Sequence, residues 1–242
     1  MPDIEIHPLE LARVELPAFH PEAPGIDTVY GFVVRYADDC VLIDTGVGRG
    51  SALIDKLYKP VCVDFSAALS SVGVSMSDVT AIVNSHLHFD HCGNNSLFPG
   101  VPIFVQETEL KAAQEANYTV EQWVNFSGAN YKPISGSQRI TARIELQPTP
   151  GHTPGHQSAV VRSGGCVEVI VAQASYTAAE FELFARRQGD RLAPESSEAQ
   201  NYLRSNATWS KDAYLTSVGA LHRLRPSRAY FSHDPTVWAR AV

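Results

Sequence analysis

The sequence predicts a mixed α/β protein, and three observations carry the prediction. Strand-like apolar runs give way to helix-like segments twice along the chain, with no internal repeat of the solenoid kind. A length of 242 residues is enough to bury one substantial core, and no linker-like stretch interrupts it, so a single domain over residues 1–242 is expected. The third observation is positional. Asp44, His86, His152, Gln173 and His233 each fall at the end of an apolar run or just past it, as a sheet edge delivering side chains to one site requires.

Residues 4–16 alternate loosely between apolar and charged side chains, as an outer strand or two would, and 17–25 read as a proline-bearing loop. Residues 28–35 and 40–43 form a hairpin around Asp38-Asp39, its second strand running into Asp44-Thr45-Gly46. Two short helices follow over 51–59 and 64–72, with Ser51 and Asp64 as N-caps and Gly73 as a stop. The apolar run 80–83 leads into a histidine-rich stretch, and Gly93-Asn94-Asn95 suits a loop with unusual backbone angles. Next come a strand over 101–105, an amphipathic helix over 107–117, and a helix then loop over 119–131 carrying Trp123, Phe126 and Tyr131. A strand over 144–146 enters a turn, 148–156, that three prolines and two glycines hold rigid. Residues 157–162 and 166–171 pair around Gly164-Gly165, and 177–206 are polar with some helical pattern. A helix over 211–224 stops before Pro226, and 228–231 is a last strand.

The formal charge of −7, with both signs interspersed, leaves no basic stripe to neutralise a phosphate backbone, so nucleic acid is not an expected partner. No run is long and apolar enough to span a bilayer. The first residues lack the basic start and apolar stretch of a signal peptide, so a cytoplasmic location without membrane association is expected. Cys40, Cys62, Cys92 and Cys166 lie far apart with no Cys-x-x-Cys pair. That spacing argues against a zinc ribbon, a redox dithiol or a disulfide framework, and for reduced thiols in or near the core.

The chemistry concentrates in His86-Leu87-His88-Phe89-Asp90-His91. Imidazole suits zinc and its neighbours, and carboxylates join it where the ion stays open to water. On an extended segment His86 and His88 lie on the same side and can grip one ion, while Asp90 and His91 turn towards a second. Burying so many polar groups without a metal would be costly. His152 and His233 are the natural candidates to complete the set. His156 is placed to support the rigid turn, and His7, His20 and His222 read as ordinary hydrogen-bonding side chains.

These motifs, with Gly151-His152 and Ser232-His233-Asp234, resemble those of the metallo-β-lactamase-fold hydrolases, and the resemblance covers nearly the whole chain. Within that family the chain is similar to the N-acyl homoserine lactone lactonases through residues 86–91, 149–158 and Ala174-Ser175-Tyr176-Thr177. The resemblance implies a four-layer αββα sandwich and zinc as cofactor, one ion or two. It implies His86, His88 and His152 on one metal and Asp90, His91 and His233 on the other. Tyr176 would point its hydroxyl at the substrate, and Asp44 would orient a ligand histidine by accepting an imidazole N–H.

Gln173 departs from the family's pattern, which carries a bridging aspartate there. A neutral amide offers one good acceptor and no charge, so either the second ion binds more weakly, or hydroxide alone bridges with Gln173 as a terminal ligand or neighbour. The expected activity is attack by a metal-activated water on a lactone or other small acyl substrate, with Asp90 passing a proton and Tyr176 donating to the developing oxyanion. A thioesterase or other acyl hydrolase, a mononuclear iron oxygenase, and a weakly active metal-binding protein are the competing expectations. Residues 19–24, 118–131 and 177–209 are candidate pocket walls. The acyl group and the oligomeric state are not legible.

Overall fold

The computed structural model describes residues 4–18, 20, 23–186 and 209–240. The chain divides into two compact units, 1–135 and 136–242, each built on its own sheet. Part of the 177–206 stretch, residues 187–206, lies outside the described residues, as do Phe19, Pro21 and Glu22 of the first loop.

In the first unit the strands are β1 (Glu5–Glu15), β2 (Ile26–Tyr36), β3 (Asp39–Ile43), β4 (Val61–Cys62), β5 (Ala81–Val83), β6 (Pro102–Gln106) and β7 (Asn130–Ile134). They lie in the order β4-β1-β2-β3-β5-β6-β7, antiparallel from β4 to β3 and parallel from β3 to β7. The inner parallel strands β3 and β5 are nearly continuous apolar runs, as burial on both faces requires: all of β5 is buried. Their register pairs Ile43 with Val83, so the chain leaves β3 and β5 side by side at one edge. Leu9, Leu42, Leu69, Ile82, Phe98 and Ile103 fill one core beneath the sheet, each burial contributing on the order of 1.5–3 kcal/mol.

The helices of this unit are α1 (Ala52–Tyr58), α2 (Phe65–Ser70), α3 (Phe89–Cys92), α4 (Glu107–Ala112) and α5 (Glu121–Val124). Ser51 and Asp64 are the N-caps expected of them, accepting from the backbone N–H groups of Ile54 and Ala67. Gly73 takes a positive φ of 71° just past α2. Two expectations are corrected. The helix read over 107–117 ends at Ala112, and the segment after α5 becomes the strand β7, whose backbone pairs with β6 although Lys132 and Pro133 are exposed and only Ile134 is fully buried.

The second unit holds β8 (Gln138–Arg139), β9 (Ile144–Pro148), β10 (Gln157–Ser163), β11 (Cys166–Ala172), β12 (Arg228–Phe231) and β13 (Trp238–Ala239) in the order β13-β12-β11-β10-β9-β8. β11 and β12 are parallel and the other pairs antiparallel, so β9, β11 and β12 all finish at the same edge. Helices α6 (Ala178–Arg186) and α7 (Lys211–Arg223) pack on this sheet through Phe181, Tyr214, Val218 and Leu221, against Val169, Val171 and Phe231. All four cysteines are free. Cys40 and Cys92 are buried and Cys62 is half-buried, whereas Cys166 is exposed because it opens β11 beside the Gly164-Gly165 turn. Among the described residues no helix is long and apolar enough to cross a membrane.

Candidate metal centre

The histidine stretch begins where β5 ends. Asp44, one residue past β3, takes a left-handed backbone at φ 60°, and its carboxylate faces the neighbouring strand's exit. Oδ1 accepts from the Ser85 backbone N–H at 2.7 Å, and Oδ2 accepts from the Ser85 hydroxyl at 2.7 Å. Oδ2 also lies 2.8 Å from His91 Nδ1, with both side chains buried. Because the Ser85 proton goes to Asp44, its oxygen accepts from His86 Nδ1, 3.1 Å away. One carboxylate thereby fixes two imidazoles, His91 directly and His86 through a serine, and turns the Nε2 of each outward.

The outward atoms form two pairs. His86 Nε2 lies 3.1 Å from His88 Nδ1, and His91 Nε2 lies 3.4 Å from Asp90 Oδ2. Two ligands at about 2.0–2.1 Å from a tetrahedral ion stand about 3.3 Å apart, so each pair is spaced to chelate one ion. His86 and His88 belong to the extended segment, while Asp90 and His91 sit on the single turn of α3, which His88 opens as N-cap residue.

The electrostatics suit a cation. Burial pushes the His88 imidazole well below its ordinary value, leaving it neutral at pH 7 as a ligand must be. Burial alone would also push His91 down, but Asp90 and Asp44 outweigh it and hold the ring at about 10. His91 therefore carries a proton that a metal ion can replace between the same two carboxylates.

The loop is held by its neighbours. The Thr45 backbone N–H donates to His91 O at 2.7 Å, Asn84 Nδ2 donates to the same oxygen at 3.1 Å, and Asn95 Nδ2 donates to Asn84 Oδ1 at 2.8 Å. Gly93 corrects the expectation of unusual backbone angles, since its φ is an ordinary −63°. Glycine is required there for space: a Cβ would fall 1.9 Å from the Gly48 nitrogen.

In the second unit His152 follows β9, Gln173 follows β11 and His233 follows β12, so all three leave one sheet edge. Gly151, at φ 147°, runs so close to α7 that a Cβ would meet Tyr214 Cα at 2.4 Å. His156 is not a ligand in this arrangement. Its Nε2 accepts the Gln173 backbone N–H at 3.2 Å, so Nδ1 carries the proton and donates to Thr149 Oγ1 at 2.9 Å. Thr149 donates in turn to Ser158 Oγ at 2.9 Å, which donates to Val171 O at 3.0 Å. This one-way chain fixes the turn and the backbone of Gln173. Tyr176 stacks on His233, ring centroids 4.9 Å apart and planes 15° from parallel.

Sequence reasoning missed Ser85 and Glu109, which nothing in their local pattern distinguishes, and the hydrogen-bonding roles of Thr149 and Ser158 within the 149–158 stretch. Of the candidate walls, Tyr118, Thr119, Val120, Glu121 and Asn125 line a cavity of about 750 Å³ in the first unit, with Leu53, Ile54, Leu57, Tyr58, His88 and Phe89 among its other walls. Residues 187–208 of the 177–209 wall lie outside the described residues.

A family model described as the Metallo-beta-lactamase superfamily matches residues 24–233. The chain belongs to that superfamily. An N-acyl homoserine lactonase of Bacillus sp is 32% identical over 167 residues, a match covering 64% of this chain and 66% of the relative, just under two thirds of its length. A solved quorum-quenching N-acyl homoserine lactone lactonase is 26% identical, with a TM-score of 0.72 over 96% of this chain and 92% of that one. AidC, a dizinc quorum-quenching lactonase solved with a product, is 17% identical with a TM-score of 0.72, covering 99% of this chain and 91% of its own. The mixed α/β architecture with two sheets is the superfamily's fold, as the sequence motifs implied.

Proposed function

We propose that the protein is a metal-dependent hydrolase that opens a lactone, with N-acyl homoserine lactones as the leading substrate class and the cytoplasm as its location. The observation that carries this reading is the pair of chelating contacts, His86 with His88 and Asp90 with His91, whose orientation Asp44 and Ser85 fix. The reading takes the chain as one domain. The reading assigns His152 to the ligand set of His86 and His88, and His233 to that of Asp90 and His91, as the sequence motifs imply. Zinc is the expected ion, because the donors are five imidazoles and one carboxylate.

Bound there, the metal supplies Lewis acidity and a water acidified to near neutral pH. The protein's own groups do the rest. Asp90 takes a proton and passes it towards the leaving oxygen. Tyr176, held flat against His233, directs its hydroxyl to the developing oxyanion. The cavity beside His88 and Phe89 has an apolar side, Leu53, Ile54, Leu57 and Val120, suited to an acyl chain, and a polar side with Gln114, Glu115 and Asn117.

The test combines metal counting with turnover. Purified protein is expected to carry zinc and open N-acyl homoserine lactones, to lose both properties on chelation, and to regain them with zinc. If metal-loaded protein opens no lactone, ester or thioester, the reading fails; if it prefers a thioester, the acyl-hydrolase alternative replaces the lactonase. Gln173 favours a second reading of the metal count, one firmly held ion with a weaker neighbour. Its amide brings one acceptor and no charge to the sheet edge that carries His152 and His233.

A further inference from the structure

Glu109 is a carboxylate in the core. It sits in the first turn of α4, three residues past β6, at the same sheet edge from which Asp44 and the histidine stretch emerge, and its exposure is 0%. An ionised or even protonated carboxyl buried this deeply carries a large desolvation cost, so its contacts must repay that cost. Oε1 accepts the backbone N–H of Leu87 at 2.9 Å, and it also accepts the hydroxyl of Tyr118. Leu87 is the residue between His86 and His88. Its amide lies beyond the sheet ladder, which ends where the Asn84 N–H reaches Phe104 O at 3.1 Å. Tyr118 turns its ring to His88, the centroids 4.9 Å apart and the planes 49° from parallel.

Resting on the metal-centre reading above, we infer that Glu109 and Tyr118 are a positioning pair for His88. Asp44 and Ser85 orient His86 and His91, whereas Glu109 and Tyr118 act on His88. The Glu109 carboxylate pins the main chain on which His88 stands, and Tyr118 sets its tilted ring against the imidazole. Together they hold His88 Nδ1 at chelating distance from His86 Nε2. A shift of that ring would separate the donor pair, because His88 stands past the end of β5 (Ala81–Val83), at the N-cap of α3. Nothing in this role requires Glu109 to touch substrate or metal. It acts through the Leu87 amide and through Tyr118.

The two contacts make different demands, and this separates positioning from simple filling of space. Glu109→Gln keeps an acceptor oxygen for the Leu87 amide and the Tyr118 hydroxyl, whereas Glu109→Ala removes it and leaves both donors buried without their partner. Tyr118→Phe keeps the ring against His88 but cuts the link to Glu109.

The experiment uses full-length protein loaded with cobalt(II), whose visible absorption reports ligand geometry, together with zinc affinity from competition with a chromophoric chelator. Glu109→Ala is expected to weaken zinc binding about 10–100-fold and to change the cobalt spectrum. Glu109→Gln is expected to restore affinity to within about threefold of the original. Tyr118→Phe is expected to alter the spectrum with little loss of thermal stability, and it carries the test alone if Glu109→Ala does not fold. A folded Glu109→Ala variant, or a Tyr118→Phe variant, with unchanged spectrum and affinity overturns the proposal while leaving the metal centre standing. If the unmodified protein binds neither zinc nor cobalt, the metal-centre reading itself falls, and the proposal with it.

Discussion

Asp44 Oδ2 accepts at 2.8 Å from His91 Nδ1 and at 2.7 Å from the Ser85 hydroxyl, so one buried oxygen controls histidines of both donor pairs. Asp44→Asn isolates this function. Asparagine tolerates the left-handed backbone at this position and preserves the side chain's shape, so the fold is expected to survive. What it loses is the charge that holds His91 between two carboxylates and the second oxygen that receives the serine. Zinc affinity is expected to fall about 10–100-fold, measured by chelator competition, with an unchanged far-UV circular dichroism spectrum. Unchanged affinity would show that the imidazoles orient without Asp44.

Gly93→Ala tests the contact that closes the histidine loop on the segment after β3. The added Cβ would fall 1.9 Å from Gly48 N and 2.6 Å from Val47 C, backbone atoms that cannot rotate aside. A destabilisation of about 3 kcal/mol or more is expected in urea titrations, at the severe end for overpacking. Gly219→Ala, inside α7, is the control. Its nearest neighbour would be Arg223 Nη1 at 3.5 Å, and replacing a helix-interior glycine is expected to stabilise by about 0.5–1 kcal/mol. Equal effects at the two sites would refute the steric account.

What the sequence shows of this site is what is local in it. His86, His88, Asp90 and His91 are legible because their spacing is itself the chelating device, and Asp44 because it terminates an apolar run. Ser51 and Asp64 are legible as caps because capping is decided within one turn. Glu109 is not, since on a charged, helix-forming segment it reads as a solvated face, and only the packing of α4 beside β6 buries it. β7 is not, because an edge strand of polar residues with Pro133 takes its identity from backbone pairing to β6 rather than from its own pattern. His156 is legible as support for its turn, but the main-chain contact to Gln173 that gives it a second task spans a hairpin.

His222 makes stability depend on pH. Its Nε2 donates to Phe181 O at 2.8 Å and its ring stacks on Phe181 at 3.9 Å. Burial lowers its pKa below the ordinary 6.5, against smaller upward pulls from that carbonyl and from Glu182. Below the unfolded-state pKa the unfolded chain takes up a proton that the folded ring refuses, so stability present above that value is lost as pH falls through the folded one. With metal removed, the urea midpoint is expected to drop between about pH 8 and pH 5.5. The drop should be smaller in His222→Gln, which cannot titrate. An equal drop in both proteins would assign the acid sensitivity elsewhere.

Gln173→Asp addresses how many ions the centre keeps. The proposed ligands offer a single carboxylate, Asp90, towards two dications whose separation in two-metal sites is about 3.5–4 Å. An aspartate at 173 would add a second negative charge and a second oxygen able to span both ions, offsetting their repulsion. His156 holds residue 173 by its backbone N–H, a contact that the substitution keeps. The left-handed turn at Ala172, φ 54°, is also untouched. After dialysis against metal-free buffer, the unmodified protein is expected to retain about one zinc per chain and Gln173→Asp about two, counted by mass spectrometry of the metal. The weaker ion's affinity should rise at least about tenfold, because one carboxylate near a dication contributes more than the roughly 1.4 kcal/mol that a tenfold change requires. If the unmodified protein already retains two ions and the aspartate changes neither number nor affinity, the amide is an adequate substitute and the charge argument for Gln173 is wrong.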